Sequence, residues 1–240
     1  MNPEKTMSKL LALDTSGDAC SVALWHDGHI IENFEMAAQS HTQRALPMID
    51  ELLSQTNTSL EDVDALAIGA GPGSFTGLRI GMGVVQGLAF ASDKPVVPVG
   101  TLEALAWQAL QANHNVRTAL PALDARMGEV YWGVYQLGED GKLQELCGPA
   151  ANAPEMVTEL LPTDCGAFVG IGGGWALPAL QKCSAEFDAQ ALPRAAAVVE
   201  LAARYWREGK LHDVMAVQPS YVRDTVSWKK RERIRSAPTQ

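Results

Sequence analysis

The chain has 240 residues, of which 47% are hydrophobic and 20% are charged, and its formal net charge at pH 7 is −9. This composition excludes disordered and fibrous proteins, and the negative charge argues against a broad surface that tracks nucleic-acid phosphates. Every apolar run is shorter than the roughly 20 residues of a membrane span. We expect no secretory signal at the N-terminus, and Met7 is a candidate alternative start that would place residues 1–6 outside the fold. We therefore expect a cytoplasmic protein of one large domain or two packed lobes, without membrane association.

The first half of the chain predicts a three-stranded meander, a helix, a strand and a second helix. Each strand is a short apolar run bounded by turn residues, and the helices carry apolar residues at helical spacing. The strands are predicted at 10–14, 20–25, 29–36 and 65–69, and the helices at 41–55 and 75–91. Asp14 ends the first strand, and a glycine-rich turn with Gly71 and Gly73 leads into the second helix.

The second half repeats this order. Strands are predicted at 120–124, 130–137, 142–147 and 167–171, and helices at 154–161 and from about 175 onward. Asp124 again ends the first strand, and glycines 172–174 again follow the late strand. The repeat predicts an α/β protein with two βββαβα lobes, the duplicated actin-like (ASKHA, ribonuclease H-like) fold of actin, Hsp70 and sugar kinases. We expect an N-terminal lobe at 7–112, a C-terminal lobe at 113–218 and a basic segment at 219–240 that packs back on the first lobe.

The glycine turn and its helix are the most distinctive part of the sequence. Gly71 and Gly73 permit a sharp strand-to-helix turn, and Ser74 is a suitable N-cap that leaves N–H groups free for an anion. The turn matches neither a Walker loop nor a dinucleotide-binding fingerprint. The helix contains four glycines, each costing about 1 kcal/mol relative to alanine. They lie in two pairs, 77 with 81 and 83 with 87, so we expect one face to pack on the lobe and the other to meet a partner.

The preceding helix is expected to share this partner face. Ser40 and Gln43 have the spacing of a capping box, and Pro47 either kinks the helix or marks its start. The predicted core stripe of this helix comprises Leu46, Ile49, Leu52 and Leu53. For His41, a local capping or packing role is the alternative to partner contact. The predicted partner interface comprises His41, Arg44, Met48, Phe75, Leu78, Gly81, Met82, Gly83 and Val85.

Five motifs in this order resemble the TsaB (YeaZ) family. They are Asp14-Thr-Ser, Ser40-His41 with Leu46-Pro47, the run Gly-Pro-Gly-Ser-Phe-Thr-Gly-Leu-Arg at 71–79, Leu123-Asp-Ala-Arg126, and Pro219-x-Tyr-x-Arg223. The resemblance implies a non-catalytic subunit that binds and activates its paralogue TsaD through the first-lobe helices. With TsaE, that complex transfers threonylcarbamoyl from threonylcarbamoyl-adenylate to N6 of the adenosine beside the anticodon of tRNA.

The resemblance also implies that this chain lacks the metal site of the catalytic paralogue. In TsaD two histidines hold the metal, and the matching positions here are Thr101 and Leu105. Leucine has no donor atom for a metal and threonine is a poor ligand. The five histidines form no zinc motif, and the four cysteines are far apart, as expected of reduced thiols. We therefore expect no metal, no catalytic residue and no protease activity.

An independent actin-like nucleotide-binding enzyme, an ATPase or a kinase, is the alternative function. The residues that this fold would place in nucleotide loops are Asp14, Thr15, Ser16, Asp124, Gly172, Gly173 and Gly174. The other interpretation is that they are vestiges of the duplication, and no lysine or second carboxylate accompanies Asp14 at a recognisable spacing. We expect no required cofactor, with weak ATP or ADP binding at the subunit interface left open.

The C-terminal segment differs in charge from the rest of the chain. Residues 219–240 carry a net charge of +4, with six basic residues against two acidic ones, while the remainder carries −13. Either this is a solvated tail, or it meets an acidic partner or RNA held by another subunit. We expect contact with tRNA only through the complex with TsaD and TsaE. In the absence of TsaD, an exposed apolar helix pair predicts a homodimer.

Overall fold

The computed structural model describes residues 8–223 except 164 and 185, and it contains two five-stranded sheets. The first sheet is formed by β1 (Lys9–Asp14), β2 (Ala19–His26), β3 (His29–Met36), β4 (Ala65–Gly69) and β5 (Val96–Val99). The second is formed by β6 (Thr118–Arg126), β7 (Glu129–Leu137), β8 (Leu143–Asn152), β9 (Phe168–Ile171) and β10 (Phe187–Asp188). Met7 and the basic residues beyond Arg223 lie outside the described part of the chain.

The two sheets have the same topology. Their strand orders are β3-β2-β1-β4-β5 and β8-β7-β6-β9-β10. In each, the first three strands form an antiparallel meander, and the fourth pairs parallel to the first. The fifth strand pairs parallel to the fourth in both sheets. The predicted duplication of an actin-like unit is therefore confirmed.

Within the described part of the chain, six α-helices cover the sheets. They are α1 (His41–Gln55), α2 (Phe75–Ser92), α3 (Thr101–Ala112), α4 (Pro154–Leu160), α5 (Pro178–Gln181) and α6 (Ala195–Arg207). The predicted bounds of β3, α1 and β4 agree with the structure. The helical stretch expected from about residue 175 is present as a 3₁₀ turn at Gly173–Ala176, followed by the single turn of α5, which begins at Pro178.

The inner strands of the first sheet, β1, β2 and β4, are buried on both faces. Leu11 and Leu13 of β1 pack with α1 and α2, whereas Leu10 and Ala12 point to the opposite face, where α6 lies. This alternation follows from the two-residue period of a strand. The second sheet is likewise enclosed, with α3 on one face and α4, α5 and Trp175 on the other.

Helices α3 and α6 exchange places between the two halves of the chain. Helix α3 follows β5 but packs mainly on the second sheet, and α6 follows β10 but packs on the first. The boundary at residues 112 and 113 remains a prediction, and each of its two halves contributes a helix to the other sheet. The two helices also touch each other, since Trp107 donates a hydrogen bond to Glu200 and Tyr205 donates one to Glu103.

Glu32 holds the N-terminus of α6 against β2 and β3. One carboxylate oxygen accepts from the Ala196 N–H at 3.0 Å and from the Ser21 hydroxyl at 2.7 Å. The other oxygen pairs with the Arg194 guanidinium at 2.6 Å. Since the Glu32 side chain is only 12% exposed, these are charge-assisted bonds shielded from solvent.

Replacing Glu32 by glutamine is expected to lower the free energy of unfolding by about 2 kcal/mol, because the isosteric amide cannot form the ion pair with Arg194. Urea denaturation monitored by circular dichroism measures the change. Glu35→Gln is the control: this carboxylate pairs with Arg44 on the surface, and its loss should cost less than about 1 kcal/mol. Equal losses for the two variants would contradict a special role for Glu32.

Candidate partner-binding face

The turn before α2 is built by close backbone contacts within the chain. The Ser74 side chain accepts a hydrogen bond from the Gly77 N–H at 3.2 Å, so the predicted N-cap is confirmed. The Ser74 N–H donates to the Ser16 carbonyl at 2.7 Å, and the Gly71 N–H donates to the Thr101 hydroxyl at 3.1 Å. These N–H groups are therefore hydrogen-bonded within the chain and are not free to bind an external anion.

The two glycine pairs of α2 have opposite surroundings. A Cβ on Gly77 would overlap the Thr15 carbonyl oxygen, and one on Gly81 would overlap the Thr15 hydroxyl. At Gly83 and Gly87 a Cβ would meet no atom within 4 Å. The prediction that one pair packs on the lobe is confirmed, and the second pair faces outward as a partner face requires.

Burial divides the nine residues of the predicted interface. Six are buried in the first lobe: His41, Met48, Leu78, Gly81, Met82 and Val85. These side chains pack against the chain's own sheet or helices, and their contact with a partner stays a prediction. His41 instead takes the local role, with Nε2 3.2 Å from the Ala19 carbonyl oxygen. Of the nine, Arg44 is half-buried, and Phe75 and Gly83 are exposed.

The register of α1 also differs from the prediction. Its buried stripe contains Ala45, Met48, Ile49 and Leu52, whereas Leu46 is 50% exposed. Ser40 makes no capping-box bond to the helix; its hydroxyl donates to the Ala37 carbonyl. The helix continues through Pro47, so this residue does not mark its start.

The outward face of α2 carries the residues that we call the α2 stripe: Arg79, Gly83, Gly87 and Phe90. Phe90 is 75% exposed, the largest exposure of any aromatic side chain in the described residues. The interface residues predicted from sequence do not include Phe90, although its spacing of seven residues from Gly83 puts both on one helix face together with Gly87, which the glycine pattern already assigned to the outward face. Arg79 is the single charged residue of α2, so the stripe is an apolar surface with one cation at its N-terminal end.

A cavity of about 290 Å³ lies beside this stripe. Its walls are Arg79, Met82, Gly83 and Gln86 of α2, together with residues 217–219 and Tyr221. Gly83 belongs both to the stripe and to the cavity wall. The absence of a side chain at Gly83 therefore leaves the cavity accessible from the outward face of α2.

Asp14 lies at the end of β1 beneath the glycine turn and is 1% exposed. One of its carboxylate oxygens accepts from the N–H and the hydroxyl of Ser16, at 2.9 and 2.8 Å, and the other has no hydrogen-bond partner. Burial raises the pKa of this carboxyl to about 6, although the two bonds from Ser16 partly oppose the shift. The free oxygen faces Gly69, where a Cβ would overlap it.

Stability should therefore fall as pH rises through the range in which Asp14 ionises. A folded-state pKa of about 6 against 3.8 for the unfolded chain means that the folded state binds the proton more tightly between these values. We expect wild type to lose about 2 kcal/mol of unfolding free energy relative to Asp14→Asn between pH 4 and pH 7. Urea titrations of both proteins across this range measure the difference. Parallel stability curves would contradict the shift.

Most of the other predicted nucleotide-loop residues make contacts within the chain. The Thr15 hydroxyl donates to the Gly77 carbonyl at 2.8 Å, and exposed Asp124 accepts from the N–H and the guanidinium of Arg126. A Cβ on Gly172 or Gly174 would collide with Ala122, so these glycines permit close strand packing. Gly173 is exposed. None of the seven residues lines the cavity beside α2 or a second cavity of about 440 Å³ near Glu129. Nucleotide binding at these residues stays a prediction.

Comparisons with known proteins identify the family. A family model described as "TsaD: tRNA N6-adenosine threonylcarbamoyltransferase" matches residues 34–230. The chain is 44% identical over 226 residues to the Escherichia coli "tRNA threonylcarbamoyladenosine biosynthesis protein TsaB", covering 92% of this chain and 97% of that one. It belongs to the TsaB family. The Haemophilus influenzae TsaB protein is 41% identical over 230 residues, covering 92% and 96%.

A solved structure agrees with this assignment. The structure described as "YeaZ from Pseudomonas aeruginosa" superimposes with a TM-score of 0.83 and 42% sequence identity, covering 89% of this chain and 99% of that one. Membership of the TsaB family and the actin-like fold are thus supported independently by sequence and by structure. No helix among residues 8–223, leaving aside 164 and 185, has both the length and the apolar character that a membrane crossing demands.

Within this TsaB family member, the two positions compared with metal ligands are structural. Thr101 begins α3, where its hydroxyl accepts from the Gly71 N–H and its own N–H donates to the Gly71 carbonyl at 2.8 Å. Leu105 is completely buried in the core between α3 and the second sheet. Among the described residues, no group of three or more histidine, cysteine, aspartate or glutamate side chains is placed to hold a metal ion.

Proposed function

We propose that this chain serves tRNA threonylcarbamoyladenosine biosynthesis as a binding subunit for TsaD and supplies no catalytic residue itself. The observation that carries the proposal is the exposed apolar α2 stripe on a member of the TsaB family. A helix of a partner fits such a stripe, because Gly83 and Gly87 permit close helix–helix approach and Phe90 supplies a large apolar contact. Phe75, which is exposed at the first residue of α2, extends this face toward the N-terminal end of the helix.

The proposal leaves the chemistry to TsaD. Thr101 and Leu105 replace the two metal ligands implied by the resemblance, and both are engaged in the packing of α3. In this proposal the chain stabilises the active arrangement of TsaD, TsaE acts through the TsaD-bound pair, and tRNA is contacted only within the complex. The chain needs no cofactor of its own. Titration of the isolated chain with Mg-ATP tests the latter point, since tight binding with turnover would favour the independent enzyme.

The same stripe is suited to a second copy of the chain when TsaD is absent. Four exposed residues lie on one side of α2 or just beyond its C-terminal end: Arg79, Gly83, Phe90 and Asp93. Two antiparallel α2 helices with a two-fold axis near Gln86 place Gly83 opposite Phe90 of the second copy. The same register brings Arg79 close to Asp93 of the second copy. An apolar side chain thus meets a glycine, and a cation meets an anion.

Exchange of these charges tests the antiparallel register. Arg79→Asp and Asp93→Arg are each expected to weaken self-association by about tenfold or more, because each places like charges together. The double variant restores opposite charges and should recover most of the association. Sedimentation velocity across a concentration series measures the dissociation constants. This register would be ruled out if the loss of association free energy in the double variant equalled the sum of the losses in the two single variants.

A reconstituted modification assay tests the proposed function. TsaD, TsaE, unmodified tRNA and preformed threonylcarbamoyl-adenylate are combined with and without this chain, and the modified nucleoside is quantified by mass spectrometry. The proposal predicts modification only when the chain is present, and none by the chain alone. Equal modification without the chain would overturn the proposal.

A further inference from the structure

The chain after α6 runs back along the first lobe as an extended segment. Residues 217–223, which we call the C-terminal strap, follow a bridge between His212 and Val96. The Gln86 side chain donates to the Val217 carbonyl at 2.9 Å. The Ser220 N–H donates to the Ala70 carbonyl at 2.7 Å. The strap is thus fixed both to the middle of α2 and to the glycine turn.

The next residue of the strap joins it to the N-terminal end of the α2 stripe. The Arg79 guanidinium lies 3.5 Å from the centre of the Phe75 ring and donates from Nε to the Tyr221 hydroxyl at 3.1 Å. The rings of Phe75 and Tyr221 are 5.9 Å apart, within the range of an aromatic pair. Tyr221 is therefore held by two side chains of α2.

Two residues later the strap reaches the second lobe. The Arg223 guanidinium donates to the carbonyl oxygens of Ala125 and Arg126, at 3.1 and 3.4 Å, and forms an ion pair with Glu129. Its side chain is 20% exposed. These acceptors all belong to residues 125–129, the turn region between β6 and β7, so one arginine binds both ends of that turn.

This β6–β7 turn has an unusual backbone. Arg126, Met127 and Gly128 have φ angles of 63°, 57° and 82°. Non-glycine residues seldom adopt this left-handed region, and two in succession persist only where the surroundings enforce it. Asp124 supplies one restraint by accepting from the Arg126 N–H at 2.7 Å. Arg223 supplies the others through the carbonyl groups and Glu129.

We propose that Arg223 is a positioning residue that holds the left-handed β6–β7 turn, and that the C-terminal strap links the order of this turn to the end of α2. The link is short, because only Val222 separates Tyr221, which contacts α2, from Arg223, which contacts the turn. Loosening Tyr221 removes the fixed point from which Arg223 reaches its acceptors. The consequence for partner binding rests on the proposed function, but the link itself is a property of the free chain.

Hydrogen exchange of the free chain, followed by mass spectrometry, tests the proposal. Arg223→Gln is expected to accelerate exchange of the amides at 125–129 by about tenfold or more, and Arg223→Lys should restore only part of the protection because it lacks the planar fork. Arg117→Gln is the matched control. Arg117 also donates to a backbone carbonyl of the β6–β7 pair, that of Leu137, but at the opposite end.

Tyr221→Ala tests the link, since Tyr221 contacts α2 rather than the turn in the interactions described. Faster exchange at 125–129 in this variant is expected. A change confined to the first turn of α2 would overturn the link, and unchanged exchange in Arg223→Gln would overturn the positioning role. If either strap variant proves too unstable to study, Glu129→Gln removes the ion pair from the other side and should give the same pattern at the turn.

A binding measurement separates this inference from the proposed function. Titration with TsaD is expected to show about tenfold weaker binding for Tyr221→Ala and Arg223→Gln than for Arg117→Gln. If neither the wild-type chain nor any variant binds TsaD, the proposed function fails. The hydrogen-exchange results then still test the inference about the C-terminal strap. If TsaD binds but exchange at the turn is unaffected by both substitutions, the strap inference alone fails.

Discussion

Replacement of Gly83 by arginine is expected to weaken binding of TsaD by about 100-fold or more while leaving the free chain folded. A Cβ at Gly83 meets no atom within 4 Å, so the substitution causes no clash in the free protein and removes the helix cost of a glycine. In the proposed complex, the new side chain would block close approach of a partner helix and would place a charge in the apolar centre of the interface. A loss of 100-fold corresponds to about 2.7 kcal/mol, which is within the range of a central interface residue.

Isothermal titration calorimetry with TsaD measures this loss, and circular dichroism and urea denaturation establish that the variant is folded. Gln111→Arg is a matched control, because it also adds one positive charge at an exposed helical position but lies on α3, away from the stripe. This control should bind like wild type. Wild-type affinity of Gly83→Arg would mean that TsaD does not contact the α2 stripe, and Phe75 on the same helix would lose its reason for being placed in the interface.

The duplicated fold was predictable because two distant parts of the chain show the same order of elements. Each half gives apolar strands with turn residues between them and a glycine turn after the late strand, and local patterns of this kind record secondary structure directly. The exchange of α3 and α6 could not be predicted in the same way. Which sheet an amphipathic helix covers depends on the path of the chain in space, and both sheets offer an apolar face.

The candidate site was only partly predictable for a related reason. The glycine spacing in α2 correctly separates an inward pair from an outward pair, since 77 with 81 and 83 with 87 lie on different helix faces. In α1, Leu46, Met48 and Ile49 are all apolar, and the sequence alone does not show which two face the sheet. The structure selects Met48 and Ile49 and leaves Leu46 exposed. Burial of neighbouring apolar residues is decided by tertiary contact rather than by local pattern.

The glycine turn also shows why a ligand loop and a packing loop look alike in sequence. Glycines and a serine N-cap would serve an anion or a nearby backbone equally well. Here the nearby group is the chain itself, because the Ser16 carbonyl accepts from Ser74 and the Thr15 hydroxyl donates to Gly77. In the folded chain, these glycines therefore allow the Asp14–Ser16 segment to approach α2 closely.

Alanine substitutions in α2 should accordingly change stability in opposite directions at its two glycine pairs. At Gly77 the added methyl group overlaps the Thr15 carbonyl and displaces the loop whose hydroxyl bonds the Gly77 carbonyl. We expect Gly77→Ala to lower the free energy of unfolding by about 3 kcal/mol, because overpacking against backbone cannot be relieved by a rotamer change. Gly87→Ala adds the same group in open space and should raise stability by about 0.5–1 kcal/mol through helix propensity.

Urea denaturation of the two variants and wild type at one pH measures these changes in the free energy of unfolding. Destabilisation of similar size at both positions would mean that the outward face of α2 is already covered in the free chain, whereas a neutral result at Gly77 would mean that the Asp14–Ser16 segment does not support the helix.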